Sequence, residues 1–184
     1  FSAATVRQHF GNRKAAVITS FSMFYDLEEP MTFMREIAEV LDDDGVWVLE
    51  QSYMPTMLQR NSYDTVCHEH LEYYALKQIK WMTDRLGLKI VDVEFNDING
   101  GSFSLMVAKQ NSRHSESPQV DSILDQEARA GLHTLDPFHN FAKNVAASQA
   151  TLRAFLDESK RFGKTVCALG ALERHPRRAA PAAA

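Results

Sequence analysis

The chain has 184 residues, of which 45% are hydrophobic and 24% are charged, and its formal net charge is −4. This balance supports a folded core, and the excess of acidic residues disfavours nucleic acid as a partner because neutralising phosphates requires clustered lysine and arginine. No apolar run is long enough to span a membrane, and Cys67 and Cys167 are too few for a disulfide framework, so we expect a cytoplasmic protein without a membrane partner.

The first third of the sequence alternates predicted helices and strands. Residues 3–10 have helical spacing, and residues 15–19 form a short apolar run typical of a buried parallel strand. Pro30 is placed to begin a helix, which we expect to end at the acidic run 42–45. Residues 46–49 then predict a second buried strand.

The middle third predicts a sheet that closes with a hairpin. Residues 54–74 are polar and aromatic, which indicates a long connection, and residues 76–86 have the spacing of a helix. Residues 88–95 alternate as a half-exposed strand does, and residues 102–108 return antiparallel after a turn at 96–101. This order predicts an α/β fold with a closing antiparallel hairpin.

The last third changes in composition twice. The polar residues 111–118 indicate a linker, and two amphipathic helices follow at 120–132 and 138–162. A buried strand is predicted at 164–169. The Arg, Pro and Ala residues of 172–184 predict disorder, which suggests either a truncation or frame change, or a natural basic tail that contacts a partner.

The densest cluster of reactive side chains is the segment 63–74, where His68 and His70 flank Glu69 between tyrosines. A neutral imidazole can accept a proton from a carbon acid that is held against it. The segment follows the second predicted strand, and ligands of open α/β sheets bind beyond the carboxyl ends of the strands. The segment is therefore a candidate catalytic site.

Two other interpretations of this segment stay open from the residues alone. His68 and His70 would share one face of a strand and could hold zinc with a third ligand, although their spacing is not that of the helical metalloprotease motif. Alternatively, the segment is a polar loop whose histidines bind backbone groups.

Two further clusters have an ordinary and a functional interpretation. Asn99, Gly100 and Gly101 fit a hairpin turn, but their bare backbone would also admit a substrate. Four residues follow the first predicted strand, where they fit either strand-end packing or a ligand pocket: Ser20, Phe21, Ser22 and Met23. The sequence contains no Gly-x-Gly-x-x-Gly or Walker pattern, so it provides no nucleotide-binding fingerprint.

Together these stretches resemble a known family. Residues 18–27 and 41–50 resemble the fourth and fifth strands of class I S-adenosylmethionine-dependent methyltransferases. Residues 68–74, then 87–88, then 99–102 resemble a narrower group, the C-methyltransferases that act on nucleotide-linked deoxy-keto-sugars.

The resemblance implies S-adenosylmethionine as cofactor, a small-molecule substrate such as a nucleotide sugar, and no metal. In that family a proton leaves the carbon beside a sugar ketone and the enolate attacks the methyl group of the cofactor. His70 is the implied base, Glu69 its orienting or stabilising neighbour, and His68 a weaker candidate. The implied cofactor-binding residues are Ser20, Phe21, Ser22 and Met23, and the implied substrate-binding residues are Cys67, Tyr73, Asn99, Gly100 and Gly101.

The resemblance also implies a division into domains. Residues 1–110 correspond to the C-terminal half of a Rossmann-like methyltransferase domain and 119–171 to the start of a second α/β domain, while composition predicts the linker at 111–118 and the disordered tail at 172–184. The sequence shows neither the family's zinc-binding module nor its glycine-rich turn, so we expect an inactive fragment.

The departures from the family pattern leave the function partly open. Cys67 stands where many relatives carry tyrosine, and Asp26 stands near a position where some carry histidine, which puts the exact substrate in doubt. The alternatives are an O- or N-methyltransferase of the same class, a zinc-dependent hydrolase and a non-catalytic binding module.

Overall fold

The computed structural model describes residues 1–167, which contain ten helices and strands. Three short 3₁₀ turns lie between them, at Phe24–Asp26, Tyr63–Thr65 and Ile98–Gly100. The helices and strands are α1 (Ala3–Phe10), β1 (Ala15–Phe21), α2 (Pro30–Val40), β2 (Leu41–Ser52), α3 (Met54–Arg60), α4 (Leu76–Arg85), β3 (Leu88–Asn96), β4 (Ser102–Lys109), α5 (Pro118–Arg129) and α6 (Asp136–Arg161).

The four strands form one mixed sheet in the order β1-β2-β4-β3. β1 and β2 are parallel, with Thr19 opposite Val48, because α2 crosses over between them. β4 lies antiparallel between β2 and β3, with Leu105 opposite both Leu49 and Val93. The predicted α/β fold with a closing antiparallel hairpin is confirmed, and the sheet is a partial Rossmann-like sheet.

The core lies on one face of the sheet, under α2, α4 and α5. On β2 this face carries Trp47 and Leu49, both fully buried, because alternate residues of a strand point the same way. The helices contribute residues at helical spacing, and each buried aliphatic side chain stabilises the fold by about 1.5–3 kcal/mol. These helix residues are Met34 and Ile37 of α2, Leu76 and Ile79 of α4, and Val120 and Ile123 of α5.

β1 differs from its predicted environment. The apolar run 15–19 predicted a buried strand, but β1 is the edge of the four-stranded sheet, and no described segment pairs with its outer side. Val17 is 60% exposed and Phe21 is 55% exposed as a result. Hydrophobicity alone cannot tell an edge strand from a central one, because the apolar pattern is the same.

α3 lies within the segment that was predicted to be a long connection. Pro55 stands in its first turn, and the buried Met54 and Met57 face the core. Asn61 ends the helix in the left-handed conformation. The acidic run 42–45 also differs from the prediction, since α2 ends at Val40 and the acidic residues begin β2.

The described residues form two compact units, Phe1–Val145 and a second that begins at Ala146. α5 belongs to the first unit, with Ser117 as its N-cap after the polar segment 111–118. In the second unit, none of residues 164–167 is in a strand, and the rest of the predicted strand and the tail 172–184 lie outside the described residues. The division into domains at 111–118 stays a prediction.

No helix within residues 1–167 combines the length and the apolar character that crossing a bilayer requires.

Candidate active site around His70

His70 is held in one orientation by a backbone hydrogen bond. Its Nδ1 lies 2.9 Å from the carbonyl oxygen of Thr65. A carbonyl can only accept, so Nδ1 carries the proton and donates it, and Nε2 keeps its lone pair when the imidazole is neutral. The half-buried imidazole is therefore fixed in the tautomer that can accept a proton at Nε2.

Tyr25 connects this imidazole to the end of β1. The rings of Tyr25 and His70 are stacked at a tilt of 48°, with their centroids 4.2 Å apart. The carbonyl oxygen of Tyr25 also accepts the backbone N–H groups of Leu71 and Glu72, each at 3.0 Å. Because Tyr25 lies in the 3₁₀ turn that follows β1, these contacts place His70 beyond the carboxyl end of the parallel strands, as predicted for a ligand-binding segment.

Two tyrosine rings lie beside this imidazole. Burial raises the pKa of Tyr25, an effect partly offset by a hydrogen bond with the Ser22 side chain. Burial likewise raises the pKa of Tyr73, partly offset by a hydrogen bond with the Cys67 backbone, and the Tyr73 and His70 ring centroids are 6.3 Å apart. Both phenols stay protonated at neutral pH, and the Tyr73 hydroxyl donates its proton to the Thr65 carbonyl at 3.4 Å.

His68 and Glu69 face solvent. Their side chains are 82% and 57% exposed, and 3.5 Å separates His68 Nε2 from Glu69 Oε1. Among residues 1–167, no three His, Cys, Asp or Glu side chains converge on a position that a metal ion could occupy. The geometry of this segment therefore gives no support to the zinc-hydrolase alternative.

The four predicted cofactor-binding residues lie at the end of β1, in different environments. Ser20 is buried, and its Oγ accepts a 2.9 Å hydrogen bond from Trp47 Nε1. Phe21 and Ser22 are exposed, and Met23 is half-buried against the core. Ser22 adopts a φ of 50° while its N–H donates to the Glu50 carbonyl, so the chain leaves the sheet at this residue.

The predicted glycine turn packs on α3. Gly101 has a φ of +128°, and a Cβ there would lie 2.3 Å from Thr56 Cγ2. Arg60 donates to the Gly100 carbonyl at 3.2 Å and to Asp97 at 2.8 Å. Asn99 is exposed at the tip of the turn. This close approach explains why glycine is needed there, and the predicted contact of the turn with substrate stays a prediction.

Four residues that shape the site were not predicted from the sequence. Tyr25 lies within the stretch 18–27, and Thr65 lies five residues before His70, but neither has a local signal of its role. Arg60, which donates a hydrogen bond to the glycine turn, lies on α3, in the segment that was predicted to be a connection. Glu127 binds residues 50 to 74 positions away in the chain, which no local pattern can reveal.

Two family models match consecutive parts of the chain. A methyltransferase domain model matches residues 3–93, and the C-methyltransferase C-terminal domain model matches residues 97–175. The curated C-methyltransferase NovU of Streptomyces niveus is 30% identical over 138 residues. The match covers 75% of this chain and 33% of NovU, so the chain spans about a third of that relative's length.

Solved structures match parts of the chain at lower sequence identity. LepI in complex with S-adenosylmethionine is 11% identical with a TM-score of 0.45, over 53% of this chain and 27% of that chain. The magnesium protoporphyrin IX methyltransferase of Synechocystis PCC 6803 is 13% identical with a TM-score of 0.41, over 53% of this chain and 46% of that chain. The family matches and the match to NovU support a class I S-adenosylmethionine-dependent methyltransferase that resembles the C-methyltransferases.

Proposed function

We propose that this chain carries the catalytic base of an S-adenosylmethionine-dependent C-methyltransferase whose substrate is a nucleotide-linked keto-deoxysugar or a similar small carbonyl compound. The observation that supports it is the fixed tautomer of His70, which leaves Nε2 as a proton acceptor beyond the carboxyl ends of the parallel strands. Methylation at carbon requires such a base, because a C–H bond must be broken before carbon becomes nucleophilic.

The role of each group follows from this chemistry. His70 Nε2 takes the proton from the carbon beside the ketone, and the electron pair moves onto the ketone oxygen as an enolate. The neutral Tyr73 hydroxyl donates to the Thr65 carbonyl at 3.4 Å, so it would stabilise the enolate oxygen only after turning its proton toward the substrate. When bound, S-adenosylmethionine would supply an electrophilic methyl group, so that a carbon–carbon bond would form as the bond from the methyl group to sulfur breaks.

The end of β1 fits such a cofactor. Phe21 exposes 55% of its surface there, which suits contact with an aromatic base, and the exposed Ser22 offers a polar group beside it. The Tyr25 carbonyl, which follows this strand end, also accepts hydrogen bonds from the His70 segment. Phe21, Ser22 and Met23 are the residues that we assign to cofactor binding, with Ser20 supporting them from the core.

The test replaces His70 with asparagine in the full gene product that contains this sequence. The asparagine amide can still donate to the Thr65 carbonyl but cannot act as the base. We expect turnover to fall about 100-fold to 10,000-fold while S-adenosylmethionine binding persists. His9→Asn is the matched control, because His9 Nδ1 also bonds a backbone carbonyl, that of Thr5 at 2.8 Å, but lies on α1.

A second measurement separates carbon methylation from oxygen or nitrogen methylation. In heavy water, the protein should exchange the hydrogen beside the ketone of a keto-sugar nucleotide for deuterium, and His70→Asn should abolish this exchange. Full turnover by His70→Asn would remove His70 as the base. Turnover by the isolated 184-residue chain would contradict the expected inactivity of this fragment.

A further inference from the structure

Tyr25 contacts both the proposed base and a proposed cofactor-binding residue. Its ring stacks on His70, with the ring centres 4.2 Å apart, and its carbonyl oxygen accepts the N–H groups of Leu71 and Glu72. Its hydroxyl forms a hydrogen bond with the side chain of Ser22, which we assign to cofactor binding. The Tyr25 hydroxyl therefore lies between the base and the end of β1. The carbon that gives its proton to His70 and receives the methyl group must be within reach of both.

The proton of the Tyr25 hydroxyl is available to a ligand. Burial raises the pKa of Tyr25, so the phenol keeps its proton, and the Ser22 bond lowers the pKa in part because the serine hydroxyl donates to the phenol oxygen. Among residues 1–167, no acceptor for the phenol's own proton is found. Tyr25 is only 7% exposed, and a buried donor without an acceptor is unfavourable unless a ligand supplies one.

Tyr73 is the other phenol beside His70, and its proton is already bound. Its hydroxyl donates to the Thr65 carbonyl at 3.4 Å, the same oxygen that accepts the proton of His70 Nδ1. Turning the Tyr73 proton toward a substrate would break this hydrogen bond. Of the two phenols, Tyr25 is therefore the one that can donate to a ligand without losing a bond within the protein.

We propose that the Tyr25 hydroxyl donates a hydrogen bond to the carbonyl oxygen of the substrate and is a second catalytic group beside His70. The proposal rests on the proposed function, because it needs a carbonyl compound held against His70. As Nε2 takes the proton from carbon, the electron pair of the broken C–H bond moves onto the carbonyl oxygen. The Tyr25 hydroxyl stabilises the negative charge that develops there and keeps its own proton.

The infrared spectrum of a bound ketone tests this hydrogen bond separately from catalysis. In the full gene product, His70→Asn removes the base, so the C=O stretch of bound dTDP-4-keto-6-deoxyglucose can be recorded without enolate formation. A hydrogen-bond donor lowers the frequency of this stretch. We expect a lower frequency in His70→Asn than in His70→Asn combined with Tyr25→Phe, whose ring keeps the stacking surface but cannot donate. Equal frequencies would overturn the proposal.

Deuterium exchange beside the ketone measures what the hydroxyl contributes to the reaction. Tyr25→Phe should slow this exchange about 100-fold, as expected when one donor to a developing oxyanion is removed. Tyr73→Phe should slow it by no more than about fivefold, because its hydroxyl donates to Thr65. Tyr63→Phe is the matched control and should change the rate by less than about twofold, because Tyr63 is exposed. The melting temperature of each variant shows that it is folded in the assay.

The outcomes distinguish this proposal from the proposed function. Exchange that depends on His70 but is equally fast in Tyr25→Phe and Tyr63→Phe would reject the role of Tyr25 and leave the base assigned. A larger loss in Tyr73→Phe than in Tyr25→Phe would assign the donor to Tyr73 instead. A native protein that neither binds the ketone nor exchanges its hydrogen would reject the proposed function, and the role of Tyr25 with it.

Discussion

The carboxylate of Glu127 ties α5 to the elements that surround the candidate active site. It is buried on α5, where Oε1 accepts the Tyr53 hydroxyl and the Leu76 N–H, both at 2.7 Å. Oε2 accepts the Lys77 N–H at 3.0 Å, so the same side chain caps the first turn of α4. Tyr53 in turn donates its N–H to the Gly101 carbonyl. The carboxylate therefore links α5, the end of β2 and α4.

Removing one of these donors tests how strongly the link stabilises the fold. Burial raises the pKa of Tyr53, and Glu127 raises it further, so the phenol keeps its proton at neutral pH and donates it to the carboxylate. Tyr53→Phe deletes this donor to a buried carboxylate, and we expect the free energy of unfolding to fall by about 1.5–3 kcal/mol. Urea denaturation of the native chain and of the variant measures this loss of stability.

The exposed Tyr63 provides the control for this substitution. Tyr63→Phe should change the free energy of unfolding by less than about 0.5 kcal/mol. If Glu127 is first replaced by glutamine, Tyr53→Phe should lower the free energy of unfolding by less than it does in the native chain, because the hydroxyl then donates to a neutral amide. An equal cost in both backgrounds would show that the hydroxyl is not stabilised by the carboxylate.

At the scale of elements, the turn before β4 can pack against α3 only because Gly101 has no side chain. The position of a Cβ on Gly101 overlaps Thr56, and its φ of +128° is unfavourable for any other residue. We expect Gly101→Ala to lower the free energy of unfolding by about 2–4 kcal/mol, from backbone strain and overlap together. Thermal and urea denaturation of the variant measure the loss.

Gly87→Ala separates the two causes. Gly87 has a φ of +66° and no atom within 4 Å of the position of a Cβ, so only the backbone term of about 1 kcal/mol should appear. Adding Thr56→Ala to Gly101→Ala should restore part of the lost stability, since it removes the overlapping methyl group. No restoration would assign the whole loss to the backbone.

The elements differ in how well their sequence predicted them, and the difference is physical. α1, α2, α4 and the hairpin of β3 and β4 were predicted within a few residues, because caps, glycines and periodicity act locally. α3 was missed although Met54, Met57 and Leu58 have helical spacing, because the polar and aromatic residues after it dominated the segment. The edge position of β1 depends on which strands pair, which is not a local property.

The residues of the candidate site also differ in whether the sequence could predict them. His70 and the end of β1 could be selected from the sequence, since reactive residue types cluster there and follow predicted strands. The partners that orient them could not, because the Thr65 carbonyl is a backbone group without residue identity. Glu127 reaches Tyr53 across 74 positions, and such a contact arises only when the whole sheet has assembled.

At the scale of the whole molecule, the exposed edge of the sheet should govern how the isolated chain behaves in solution. Among residues 1–167, no segment pairs with the outer side of β1, and its Val17 and Phe21 are more than half exposed. Phe10, on α1, exposes a further 55% of its surface. An apolar edge strand of this kind can pair with another chain, so we expect the 184-residue chain to self-associate as its concentration rises.

A single charge on this strand tests the expectation. Val17→Lys should lower the weight-average mass in sedimentation or light scattering, because a charged edge opposes strand pairing. It should change the free energy of unfolding by less than about 0.5 kcal/mol, because Val17 is 60% exposed. Leu135→Lys is the control, because Leu135 is 66% exposed and lies outside β1. Equal effects of the two lysines would assign the association to general surface hydrophobicity. A native chain that stays monomeric at every concentration tested would show that the edge strand does not pair, and the unpaired backbone of β1 would then be satisfied by water alone.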